Sequence, residues 1–319
     1  MMSRRTFLRS AAAAAGLAKW APAAGAKAAQ PRTEVDFAVP PWACDCHVHV
    51  FDPRHFPYAS TRLYTPEPAT LAELRSLLKA LRLDRVVIVQ PSVYGTDNAC
   101  TLDALRGLGA RARGVAVIGE GTPEAALSEM DRAGVRGIRL NLTQTGVTDP
   151  KAARRIFRLA TGRVAERGWH VQVNCPLGFV EGLADMVLSS PVPVVFDHFG
   201  GAVSSRGIGQ AGFGALVRLV GSGKAYAKIS GAADSLSTRA PDYADAAPFA
   251  QALVAANSER VLWGSNWPHP GMQRPARGTI SPLLTTDDGL VLNLLPDWVP
   301  EARVRRTILV DNPARLYAF

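Results

Sequence analysis

From about residue 43 the chain alternates short apolar runs with longer stretches in which apolar residues recur every three or four positions. The runs are CDCHVHVF (44–51), RVVIVQPS (85–92), GVAVIG (114–119), GIRLNL (137–142), HVQVNC (170–175), VVFDHF (194–199), YAKIS (226–230) and RVLWGSN (260–266). They are short and rich in Val and Ile, the pattern of buried strands. LAELRSLLKAL, PEAALSEMDRAG and AARRIFRLATGRVAERG lie between them and have helical spacing. Several such stretches open at Pro or Thr-Pro and close at Gly, as helices do. RLDRVVIVQ, RAGVRGIRLN and ERGWHVQV each pass from a helix end to the next strand within a few residues. Eight β-runs with helices between them predict one α/β domain, a (β/α)8 TIM barrel over residues 43–319. The rival is an open, doubly wound sheet. Its support is GIGQAG (207–212), which matches G-x-G-x-x-G but does not directly follow a strand.

In a barrel, chemistry gathers where the strands end. The run ends offer His47 and His49, Gln90 and Ser92, Arg139 and Asn141, Gln172 and Asn174, Asp197 and His198, Lys228 and Ser230, and Ser265 and Asn266, with His269 just beyond. Side chains alternate along a strand. Asp45, His47 and His49 are therefore predicted on the face toward the barrel axis, and Cys44, Cys46, Val48 and Val50 on the face toward the helices. Two inward histidines plus a third at the end of another strand form a constellation, whereas a single core histidine is ordinary.

The first 28 residues are predicted to be a twin-arginine (Tat) export signal: Arg4-Arg5, Phe7-Leu8, a short Ala-rich run and Ala26-Lys27-Ala28 for cleavage. The Ala-rich run is shorter than the roughly 20 apolar residues a membrane span needs. Residues 29–42 are then a linker. The expected address is the periplasm, and the Tat machinery is the partner of the precursor. Residues 1–28 carry five basic residues and no acid, so removing them leaves 31 basic against 27 acidic residues, a net charge of +4 in place of +9. Without clustered Lys or Arg, that balance gives no footprint for nucleic acid. The four cysteines make no small-scaffold pattern and are expected to be free and buried.

DCHVHVFD, VVIVQPSVYGTDN, GVRGIRLN, VVFDHFGG, VLWGSNWPHP and ILVDNPARLYAF together resemble the amidohydrolase superfamily, in its branch of 2-pyrone-4,6-dicarboxylate lactonases and sugar-lactone hydrolases. The resemblance runs from about Ala43 to Phe319. It implies the same barrel and hydrolytic chemistry on a small-molecule substrate. Many members hold one or two divalent metals through H-x-H, a Lys or Glu on strand four, histidines on strands five and six and an Asp on strand eight; the lactonase branch works without metal. Here His47, His49 and His198 offer three neutral nitrogens, but strand four carries Arg139 and Asn141, strand five Gln172 and Asn174, and strand eight Asn266. Catalytic zinc takes three good ligands and usually a charged one, and Arg139 would repel a cation. The expectation is a site without a metal or other cofactor, with zinc as the alternative.

On this reading His47, His49 and His198 donate to or steer the scissile carbonyl, and Arg139 holds a carboxylate or sugar oxygen. Tyr64 and Ser92 would line the pocket, as the resemblance implies, with Asn174, Lys228 and His269 as further substrate contacts. Asn266 breaks the pattern. The lactonases have an Asp there that activates water, and Asn cannot accept the proton. The acceptor is then His198, His49 or His269, or the reaction differs, or catalysis is lost. The places of two substrate-binding arginines hold Thr145 and Asp234, which favours a less charged lactone or ester over a dicarboxylated pyrone. The alternatives are a metal-dependent hydrolase or decarboxylase of an aromatic or organic acid, and a barrel that binds a small molecule without reacting. The irregular stretch 270–291 is expected to border the site.

Overall fold

The computed structural model describes residues 28–271 and 279–319. The predicted export signal lies outside the described residues except for Ala28. Eight parallel strands follow one another around a single sheet in chain order: β1 (Cys44–Val48), β2 (Arg85–Val89), β3 (Ala112–Ala116), β4 (Val135–Asn141), β5 (His170–Asn174), β6 (Val194–Phe196), β7 (Ala225–Ser230) and β8 (Val261–Gly264). Helices α1 (Leu71–Ala80), α2 (Ala99–Leu108), α3 (Glu124–Arg132), α4 (Pro150–Val164) and α5 (Gly178–Leu188), then Phe213–Gly221 and Ala247–Asn257, cover the outside. This is the predicted (β/α)8 barrel, and the open-sheet alternative is excluded. GIGQAG is the lead-in to the helix Phe213–Gly221 and follows no strand directly.

Local sequence explains the helix starts. Thr70 caps α1 in a capping box with Glu73, and Asp149 caps α4 with Pro150 at the first helical position. The apolar faces of the strands then meet those of the helices: Val86 and Ile88 of β2, Val171 and Val173 of β5 and Val261 and Trp263 of β8 join one large core with Leu74, Leu77, Phe157 and Leu253.

The barrel is closed at the β8–β1 seam by a few specific bonds. Asn266 N donates to His47 O (2.9 Å) and His49 N to Trp267 O (2.8 Å). The Asp45 carboxylate reaches across, accepting from His47 N at 3.0 Å and Ser265 N at 3.1 Å. Gly264 permits the approach, because a Cβ there would stand 2.8 Å from His47 Cβ.

The pairing of β1 with β2 corrects one expectation. The register of β1 against β2 slips between Asp45 and Val48, so strict alternation fails. Cys44 and Cys46 pack with Val87, Val89, Val195 and Tyr226, toward the barrel interior, and only Val48 and Val50 join the helix-facing core. Val195 and Tyr226 point inward because each lies two residues from an inward polar group, Asp197 and Lys228. Tyr317, near the C-terminus, packs into the same inner cluster. All four cysteines are free and buried.

Residues 29–42 run along the barrel. Val35 is buried, Ala29 O accepts from Trp267 Nε1 at 3.0 Å, and Thr33 N and Oγ1 both bond the Asp287 carboxylate. Among the described residues no helix is long and apolar enough to cross a membrane.

Candidate active site

A cavity of about 410 Å³ opens at the C-terminal ends of the strands. Of the residues singled out in the sequence, His49, Tyr64, Ser92, Arg139, Asn174, His198 and Asn266 line it. Pro270 and Leu284 also line it, so part of the 270–291 stretch borders the site. Residues 272–278 lie outside the described residues. The chain turns sharply here. His198 and Phe199 after β6, and Asn266 and His269 after β8, all have positive φ, a conformation costly for side chains other than Gly.

Beneath the cavity lies a buried polar floor centred on Asp197. Its Oδ2 accepts from Arg139 Nε and Gln172 Nε2, both at 3.0 Å. Its Oδ1 lies 3.2 Å from His47 Nδ1 and 3.6 Å from Lys228 Nζ. Lys228 Nζ also donates to Gln172 Oε1 at 2.7 Å and stands 3.3 Å from His47 Nδ1. Burial would raise the Asp197 carboxyl, but His47, Arg139 and Lys228 hold it well below the usual range. Lys228, expected to contact substrate, is fully buried in this floor and does not line the cavity. His47 is likewise below the cavity, with its ring centroid 4.5 Å from that of His198 and its Nε2 without a partner among the described residues.

The histidines near the floor are neutral. Burial, reinforced by Arg139, pushes His49 down to about 3. Burial also lowers His47 and His198, although Asp197 opposes it in both. His49 Nδ1 lies 2.7 Å from Val89 O, and a carbonyl can only accept, so the proton is on Nδ1. His49 Nε2 is therefore a bare lone pair. With its one proton given to Val89 O, neutral His49 has no N–H left for a substrate carbonyl, so of the two expected roles, donating and steering, it keeps only steering. His198 Nδ1 pairs with Ser230 Oγ at 3.0 Å.

A second polar group forms the wall. Asp234, in the turn after β7, lines the cavity and accepts at Oδ2 from Asn266 Nδ2 (2.8 Å) and His269 Nδ1 (3.0 Å). His269 Nε2 meets Asp288 Oδ1 at 2.9 Å. Burial would lower His269, but Asp288 and Asp234 raise it to about 10, so it is an imidazolium at neutral pH. His269 is fully buried behind Asn266 and Asp234 and does not line the cavity, so it is no substrate contact in this structure. As a cation it has no lone pair for a proton, which removes it as the base. Asp288 had no sequence signal tying it to His269. Asp234 did have one: an acid four residues past a strand that ends at the barrel mouth.

Asp197, His47 and His198 place donor atoms within 4.8 Å of one another. They fit a divalent cation poorly. The only carboxylate of the group already carries Arg139, and the Lys228 ammonium stands beside both Asp197 Oδ1 and His47 Nδ1. A cation there would face two fixed positive charges.

An eight-stranded parallel barrel with a polar cavity at its strand ends defines a (β/α)8 enzyme scaffold. The chain belongs to the amidohydrolase family, whose model (described as Amidohydrolase) matches residues 44–319. It is similar to 4-sulfomuconolactone hydrolase of Rhizobium radiobacter, at 35% identity over 287 residues, covering 89% of this chain and 92% of that protein. It is also similar to 2-pyrone-4,6-dicarboxylate hydrolase of Comamonas testosteroni, at 34% identity over 291 residues with 88% and 92% covered. A crystal structure described as a 2-pyrone-4,6-dicarboxylic acid hydrolase from Pseudomonas putida superposes with a TM-score of 0.71 at 32% identity, covering 88% of this chain and 98% of that one.

Proposed function

We propose that this protein hydrolyses a lactone without a metal. The observation that carries the reading is one cavity lined by neutral His49 and His198, the Arg139 guanidinium and a carboxylate–carboxamide pair. The relatives, named as lactone hydrolases, supply the reaction class. Arg139 is anchored by its Nε to Asp197, and among the described residues its terminal N–H groups make no hydrogen bond. It offers a planar fork for a substrate carboxylate or ring oxygen. With Ser230 donating to Nδ1, His198 keeps its proton on Nε2 and presents it to the lactone carbonyl, where oxyanion charge develops. His49 Nε2 accepts from a substrate hydroxyl or acid group. Asp234 at the rim disfavours a second substrate anion, so the substrate class is a lactone with at most one acid group.

The test is proton release by the mature protein on a panel of 4-sulfomuconolactone, 2-pyrone-4,6-dicarboxylate, a galactarolactone and uncharged lactones, with and without chelator. Turnover of a weakly charged lactone, unchanged by chelator, is expected. Loss of turnover with chelator, restored by zinc, refutes the metal-free reading. The same proposal places the mature enzyme in the periplasm. Fractionation of cells expressing the R4K/R5K precursor should show it retained in the cytoplasm; export as in the wild type refutes the Tat assignment.

A further inference from the structure

Lactone hydrolysis needs a group that takes the proton of the attacking water, and the strand-eight residue here is Asn266. We infer that Asp234 is that general base and that Asn266 holds the water it deprotonates, an inference that rests on the lactonase reading above.

Both side chains line the cavity, and both are carried by turns just past strand ends. Asn266 spends an amide N–H on Asp234 Oδ2 at 2.8 Å. Its own Oδ1 is buried and has no partner among the described residues. A buried amide oxygen without a donor is costly, and a water held against Asn266 during the reaction would satisfy it. Asp234 Oδ2 is occupied by Asn266 and His269, whereas among the described residues Oδ1 receives only the hydroxyl of adjacent Ser235 at 3.1 Å. Oδ1 therefore has lone-pair capacity left. Gly231 shows where Oδ1 sits. A Cβ built there would meet Asp234 Oδ1 at 2.7 Å and His198 Nδ1 at 3.1 Å. Asp234 Oδ1 and the His198 ring therefore flank the same point beside Gly231. Gly231 also has φ +61°, so its own residue type is required twice over.

The other acceptors are spent or displaced. Asp197 is held by Arg139 and Gln172 under the floor. His269 is an imidazolium between two carboxylates. His49 keeps a bare Nε2 and is the competing acceptor, but protonating it would set a second cation beside Arg139, the neighbour that already lowers it.

The step balances without a further reactant. The water oxygen adds to the lactone carbonyl carbon while its proton passes to Asp234 Oδ1. The tetrahedral adduct collapses with cleavage of the ring C–O bond, and the Asp234 carboxyl returns the proton to the departing ring oxygen. Lactone and water become a hydroxy acid. One family aspartate is thereby divided into two residues, an amide that positions the water and a carboxylate that takes the proton.

The experiment is steady-state kinetics of wild type, D234N, H49Q and the exchange D234N/N266D on a lactone the wild type hydrolyses, with folding checked by circular dichroism. D234N should lower kcat about 10²- to 10⁴-fold, the usual worth of a general base, and H49Q much less. The exchange should recover at least about tenfold over D234N, because it returns a carboxylate to the same pair. If D234N does not fold, the exchange carries the test, since it restores a charge near His269. D234N within about threefold of wild type, or H49Q showing the larger loss, overturns the base assignment while leaving the lactonase reading intact. A folded wild type silent on every lactone overturns the lactonase reading itself.

Discussion

The floor and the wall of the cavity both pair buried aspartate with histidine and behave in opposite ways. The floor places one carboxylate, Asp197, among Arg139, Lys228 and His47. The wall places one imidazole, His269, between Asp234 and Asp288. Both are buried. Yet His49, beside the floor cations, falls to about 3, and His269 rises to about 10. Burial pushes both rings toward neutrality, so the difference comes from the charge next to each. The floor's central carboxylate is held at Oδ2 by Arg139 Nε and Gln172 Nε2, which makes it a scaffold that aims the Arg139 fork. The wall lines the cavity with Asp234, whose Oδ1 carries only the Ser235 hydroxyl among the described residues, and with Asn266, and it is the side to which we assign the reactive role.

The sharpest way to break the comparison is to remove the central ion of each cluster. D197A strands Arg139 and Lys228 without their carboxylate, and H269A leaves Asp234 and Asp288 facing each other. Each should cost about 3–5 kcal/mol, the scale for breaking a buried pair on one side, read by urea unfolding. A loss below about 1 kcal/mol in either would show that cluster to be solvated and the contrast unreal.

The second way is pH. His269 has a folded value near 10, above the ordinary 6.5, so its contribution is complete below pH 6.5 and lost as pH rises toward 10. His49 has a folded value near 3, below 6.5, so its contribution is present above pH 6.5 and lost as pH falls toward 3. His170, also held near 3 by burial, adds to the acid slope. The melting temperature should therefore peak near neutrality, with H269Q flattening the alkaline side and H49Q the acid side. Identical slopes in wild type and both variants would contradict the assigned charge states.

The smallest expected effect belongs to the residue that joins floor to cavity. R139K keeps a cation near Asp197 but loses the planar fork, so KM for a lactone bearing a carboxylate should rise about tenfold while the uncharged lactone is unaffected. An equal change on both substrates would make Arg139 a structural residue only.

Most of the barrel was legible in the sequence. Runs such as RVVIVQPS and HVQVNC report burial on both faces, a property each segment carries locally, and their order then dictates the topology. The strand ends named the cavity for the same reason: His49, Ser92, Arg139, Asn174, His198 and Asn266 follow their strands in sequence and so must arrive at one mouth. Tyr64 was reached only through the family resemblance, since it lies between β1 and α1. Alternation failed at Cys44 and Cys46 where the register of β1 against β2 slips, a property of the pairing and not of the residues of β1 taken alone.

The tertiary structure alone decided which groups are paired and which are free. Asp234 meets Asn266 across 32 residues of chain and His269 across 35, and Arg139 meets Asp197 across 58. Residue type says that a histidine titrates; whether it is bare at His49 or charged at His269 depends on distances of about 3 Å to groups remote in sequence. Coulomb energy and desolvation act through space and are indifferent to chain order, so the fold could be read from periodicity and the chemistry of its wall could not.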